Sequence, residues 1–134
     1  MKPDTKLDTL RRLPLFAGIS ARELRAVSKV ADEVDLPAGY TLIREGEAAH
    51  ELLFIVDGSA EVSRDGRRIN RVGGGDIVGE IAVLTHGERT ATVTTTRPTR
   101  AFVMTGRDFW ALLERVPSLR FKVLERFASH VAAA

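Results

Sequence analysis

Between residues 31 and 105 no apolar run exceeds five residues before polar or turn-forming residues interrupt it. Val34 and Leu36 alternate ahead of Pro37-Ala38-Gly39, and Thr41 to Arg44 ends at Glu45-Gly46-Glu47. Leu52 to Val56 stops at Asp57-Gly58, Ala60 and Val62 precede Asp65-Gly66, and Ile69 and Val72 precede Gly73-Gly74-Gly75. Thr90 to Thr96 and Ala101 to Thr105 flank Arg97-Pro98-Thr99. Runs this short, rich in β-branched residues and closed by turn formers, are strands and not helices. Both Asp-Gly pairs predict two-residue hairpins, because such turns need positive φ. About eight short strands with regular turns predict an antiparallel β-roll, jelly-roll-like.

The two ends carry a different period. From Asp4 to Leu13, leucines recur at positions 7, 10 and 13, and an apolar connector to Ile19 is broken by Pro14 and Gly18. Ser20 and Glu23 form S-x-x-E, a capping box that satisfies two orphan amides at a helix start. Leu24, Val27 and Val30 give the apolar face behind it. Thr105 and Asp108 repeat the capping pattern ahead of Phe109, Leu112 and Leu113, with Trp110 beside them. Pro117 separates a last helix, Leu119 to Val131, in which Val123, Leu124 and Phe127 recur at helical spacing. The chain is therefore predicted as one domain over 1–134: a helical segment 4–30, a β-roll 31–105 and C-terminal helices 106–131.

Composition removes several classes of function. With no cysteine in 134 residues there is no disulfide, thiolate metal site or cysteine nucleophile. The three histidines, His50, His86 and His130, form no close pair, so a histidine metal site and a metal-dependent enzyme on a cupin-like barrel are not expected. The net charge is +2, and its densest cluster, Arg64, Arg67, Arg68 and Arg71, surrounds a turn and reads as solvated arginines on an edge hairpin. No segment approaches the ~18 apolar residues of a membrane span, and the N-terminus lacks the apolar core of a secretion signal. A cytoplasmic protein without membrane insertion is expected.

One short stretch carries chemistry. Gly79-Glu80-Ile81-Ala82 is followed by Arg89-Thr90-Ala91. Gly79 lets a ligand approach the backbone closely. If Glu80 to Leu84 make one helical turn, its first amides point outward unpaired and favour an anion. Arg89 supplies a planar fork matched to two phosphate oxygens. Glu80, acceptor-only when ionised, repels phosphate but holds a sugar hydroxyl. Acid and base thus take opposite ends of one ligand.

At these residues the chain resembles the cyclic nucleotide-binding domain family of catabolite activator-type regulators, kinase regulatory subunits and cyclic-nucleotide-gated channels. The resemblance runs from Leu13-Pro14-Leu15-Phe16 to the last helix. It includes Leu36-Pro37-Ala38-Gly39, Glu45-Gly46-Glu47, Phe54-Ile55-Val56-Asp57-Gly58 and Gly75-Asp76. It implies that Arg89 clamps the cyclic phosphate with the amides of Ile81 and Ala82, that Glu80 takes the ribose 2′-hydroxyl, and that Val62 and Val78 wall the purine. Val78 stands where many members have phenylalanine, which changes packing and not chemistry. Thr90 resembles the cyclic-GMP-favouring pattern, whereas the family's overall usage favours cyclic AMP.

The resemblance further implies a non-enzymatic sensor. Leu84 would latch against the penultimate helix near Phe109 and Leu113, and the last helix would close over the base through Arg126 or His130. The rival reading is a ligand-independent interaction module that dimerises through the last helix. Direct nucleic-acid binding would need a helix-turn-helix, which does not follow before Ala134, and is not expected. The effector is an unspecified domain or partner protein, and a homodimer is compatible with either reading.

Overall fold

The computed structural model describes residues 5–133, with the side chains of Phe127 and of residues 129–133 outside the description. Asp4, taken above as the start of the first helix, and the Phe127 and His130 side chains therefore lie outside the described residues. Helix α1 (Thr5–Arg12), a 3-10 turn (Pro14–Phe16) and α2 (Ala21–Val30) precede strands β1 (Asp32–Leu36), β2 (Thr41–Ile43), β3 (Glu51–Asp57), β4 (Ser59–Arg64) and β5 (Arg67–Gly73). Then come β6 (Ile77–Val78), α3 (Glu80–Thr85), β7 (Thr92–Thr95), β8 (Thr99–Thr105), α4 (Gly106–Arg115) and α5 (Pro117–Ala133).

The eight strands form two four-stranded sheets, in the orders β1-β8-β3-β6 and β2-β7-β4-β5, and their pairings are antiparallel. The predicted β-roll with flanking helices is what the chain forms. At β3 the first sheet has both faces covered, which is why this strand reads as a continuous apolar run and not as an alternation. Leu52 and Phe54 join the helices' side chains in one buried cluster with Phe102 and Met104. Leu53 and Ile55, pointing the other way, pack with Ala60, Val93 and Ala101 between the sheets. Phe54 lies against Phe16 of the 3-10 turn, ring centroids 5.0 Å apart and tilted by 45°.

The helix starts follow their sequence signals. Ser20 Oγ accepts from the Glu23 amide at 3.1 Å, and the Glu23 carboxylate accepts from the Ser20 amide at 2.9 Å, closing the capping box. Thr105 Oγ1 caps α4 by accepting from the Asp108 amide at 3.1 Å. Pro117 opens α5, where its missing N–H costs nothing.

One expectation is corrected. Asp65-Gly66 is a hairpin turn with φ of 53° and 76°, joining β4 to β5. Asp57-Gly58 is not a hairpin: β3 and β4 belong to different sheets, so the pair is a corner where the chain crosses between them. Gly58, at φ 129°, is required there because a Cβ would lie 2.3 Å from Thr99 Oγ1. Helix α5, present as expected, does not turn all its apolar residues to the core. Leu119 and Val123 face the core, but Leu124 is 66% exposed, because the position next to Val123 is turned about 100° around the helix.

Candidate functional site

The site lies where β6 ends and α3 begins. Gly79 caps α3 at φ 88°, a left-handed conformation that turns the chain from strand to helix in one residue. The same glycine leaves room for Arg89: a Cβ on residue 79 would sit 2.6 Å from Arg89 Nη1. The role expected of Gly79, close approach by a ligand, is thus joined by one internal to the fold. Upstream, Asp76 Oδ2 accepts from the Gly73 amide at 2.7 Å, and the Gly75 amide donates to the Ile55 carbonyl at 2.7 Å. The first bond closes the glycine turn on itself, and the second ties it to β3.

Arg89 is held from both sides of its backbone. Its amide donates to the Glu47 carbonyl at 2.8 Å, and its carbonyl accepts from the Gly46 amide at 2.9 Å. The guanidinium reaches inward, where Nη1 donates to the Gly79 carbonyl at 2.8 Å and Nη2 to the Glu51 carbonyl. Arg89 is only 8% exposed, yet it makes no ion pair within 4.0 Å among the described residues. Burial pushes its guanidinium below the ordinary arginine range, while the charges of Glu51 and then Glu80 act in the opposite direction. A buried cation held by neutral carbonyls carries a charge that no carboxylate within 4.0 Å balances among the described residues.

Glu80, buried in the first turn of α3, faces a cation from the far end of the chain. Arg126 of α5 places Nε 3.3 Å from Glu80 Oε1 and Nη2 3.4 Å from the Ile77 carbonyl. The resemblance offered Arg126 as a base contact; in this structure its partner is Glu80, the acid of the segment 79–91, called the cassette from here on.

A cavity of about 390 Å³ opens onto these groups. Gly79, Glu80, Ile81, Ala82, Arg89 and Thr90 line one side, and Val62 and Val78 line it together with Ile43, Val72 and Val93. All eight residues proposed from sequence thus border one cavity. The apolar wall is wider than foreseen. Val72 and Val93 were legible as strand residues, but nothing local in the sequence directs them to the site. Thr90 is exposed, and its carbonyl accepts from Arg64 Nε at 2.9 Å. Arg64, read above as solvated, is exposed and makes this contact from the surface; Arg68 pairs with Glu61 at 3.5 Å on the exposed hairpin.

The cassette is also tied to α4. Trp110 Nε1 donates to the Val83 carbonyl at 3.4 Å, and its ring stacks on His86 with centroids 5.6 Å apart. Leu84 borders an apolar groove with Trp110 and Leu113 of α4 and Val123 and Leu124 of α5.

Residues 33–116 match the model of the cyclic nucleotide-binding domain. The chain belongs to that family. It is 37% identical over 116 residues to a candidate potassium channel protein of Rhodopseudomonas palustris, covering 84% of this chain and 28% of that one. It is 32% identical over 102 residues to the CRP-like cAMP-activated global transcriptional regulator of Mycobacterium tuberculosis, covering 72% of this chain and 46% of that one. Its fold superposes on the regulatory domain of Toxoplasma gondii PKA, solved with cAMP, with a TM-score of 0.74 and 29% identity over 84% of this chain and 46% of that one. The chain thus spans less than half of each of these proteins. No helix among the described residues is long and apolar enough to cross a membrane. Nor do three His, Asp or Glu side chains gather among them to hold a metal ion.

Proposed function

We propose that this cyclic nucleotide-binding domain, taken as one unit over 1–134, is a non-enzymatic, cytoplasmic sensor that takes cyclic AMP in preference to cyclic GMP. The observation that carries the reading is Arg89: a buried guanidinium, fixed by two backbone carbonyls, facing a cavity and lacking a carboxylate partner among the described residues. A cyclic phosphate supplies the missing anion. The amides of Ile81 and Ala82 add neutral donors, and Glu80 accepts from the ribose 2′-hydroxyl. Val62 and Val78 sandwich the base with the other valines of the wall. A charge-assisted hydrogen bond contributes about 1.5–3 kcal/mol, so this set supplies most of a micromolar affinity of about −8 kcal/mol. Cyclic AMP is favoured because the mycobacterial relative is named as cAMP-activated and the Toxoplasma domain was solved with cAMP; the Thr90 hydroxyl pulls the other way.

The output runs through the C-terminal helices to an effector domain or partner protein. Ligand at Glu80 competes with Arg126, and Leu84 transmits a shift of α3 to α4 and α5. Ligand changes the helices only if it binds one arrangement more tightly than the other. A second reading, association through α5 without ligand, is favoured by its exposed Phe121 and Leu124. Titrating cyclic AMP and cyclic GMP separately into refolded, nucleotide-free protein, with mass measured in each state, tests both. Saturable one-to-one binding, tighter for cyclic AMP, supports the sensor; a dimer that binds neither nucleotide supports the second reading.

A further inference from the structure

The phosphate and ribose ends of the cavity are accounted for by Arg89 and Glu80, which leaves the wall against which a base would lie. Strand register fixes that wall. Val93 of β7 pairs with Val62 of β4, and Val62 pairs with Asn70 of β5. Directly paired residues share a face of the sheet, so Val93, Val62 and Asn70 form one row across it. All three line the cavity. In the next row Ala60 pairs with Val72. A register shift after Val62 leaves Ile69 opposite no partner and half-exposed, and it is this extra residue that sets Asn70 on the inner face.

An apolar row with a single carboxamide in it differs from the rest of the wall. Asn70 is the one amide side chain lining the cavity among the described residues. Its Oδ1 accepts from the Arg71 amide at 2.8 Å. That bond fixes the orientation of the amide, because reversing it would set two donors against each other, and it leaves the Nδ2 hydrogens as donors. The edge of a purine ring offers nitrogen acceptors, while its faces need apolar contact, which Val62 and Val72 provide.

We infer that Asn70 donates a hydrogen bond from its side-chain amide to a ring nitrogen of the bound purine. The inference rests on the cavity being the nucleotide site proposed above. Of the ring nitrogens, N3 and N7 are acceptors in both adenine and guanine, whereas N1 accepts only in adenine; a donor to N3 or N7 adds affinity for both and leaves the choice between them to other residues.

The test is calorimetric titration of the nucleotide-free chain and of Asn70→Val and Asn70→Asp. Valine suits an exposed strand position, and aspartate keeps the shape but has no N–H. Asn70→Val is expected to weaken cyclic AMP and cyclic GMP alike by about three- to tenfold, the span of one ordinary hydrogen bond, and Asn70→Asp by at least as much. Of the 3-deaza and 7-deaza analogues of cyclic AMP, one should bind wild type more weakly yet lose nothing further on Asn70→Val. Unchanged or tighter binding by Asn70→Val, or losses that add for both analogues, overturns the inference while leaving the site reading intact. A wild-type chain that binds no cyclic nucleotide overturns both.

Discussion

Arg89 Nη1 lies 2.8 Å from the Gly79 carbonyl oxygen and in the space a side chain on residue 79 would fill. The cassette's first residue and its arginine, ten positions apart, are one unit: the glycine admits the guanidinium, and the guanidinium satisfies the glycine's carbonyl. Gly79→Ala is expected to damage both. It imposes left-handed strain of about 1–3 kcal/mol and displaces Arg89. The measurement is a thermal melt paired with a cyclic AMP titration. A variant that melts and binds like wild type would show that Arg89 has another way into the cavity.

Glu80 and Arg126 give a prediction of opposite sign. In this structure Arg126 pairs with the buried Glu80 carboxylate, and on the proposed reading the ribose hydroxyl competes for it. Arg126→Ala should therefore tighten cyclic AMP binding by about two- to tenfold, the range of a single hydrogen bond. Glu80→Gln should weaken binding less than loss of Arg89 does, since its amide oxygen still accepts. Weaker binding by Arg126→Ala would mean that Arg126 touches the ligand itself.

Phe54 tests the frame that carries the site. Its ring joins β3 to the 3-10 turn through Phe16 and is fully buried. Phe54→Ala should cost about 3–5 kcal/mol, as large-to-small changes in closed cores do. Chemical denaturation reads it directly. A loss below about 1 kcal/mol would mean that the turn packs independently of the sheet.

The sequence made this frame largely legible, and its failures share a cause. The capping box at Ser20 and the hairpin at Asp65-Gly66 are local, so a few residues specify them. Asp57-Gly58 also announced a turn, but which sheet the next strand joins depends on the pairing of β4 with β7, some thirty residues further along. β6 escaped notice because Ile77 and Val78 are too few to show a period. Leu124 shares the apolar character of Val123 but not its direction. Within the site, Glu80 and Arg89 were readable from residue type and spacing. The Glu80–Arg126 pair, 46 positions apart, and the placing of Asn70 by a register shift arise only when the chain folds.

Arg89 is the most direct test of the account. Calorimetric titration of cyclic AMP into nucleotide-free wild type and Arg89→Ala should give saturable, one-to-one binding for the first. For the second, the affinity should fall by at least about a hundredfold, the loss of two charge-assisted hydrogen bonds, with folding verified by circular dichroism. A folded Arg89→Ala chain that binds cyclic AMP nearly as wild type does would contradict the claim that this buried guanidinium holds the ligand's phosphate.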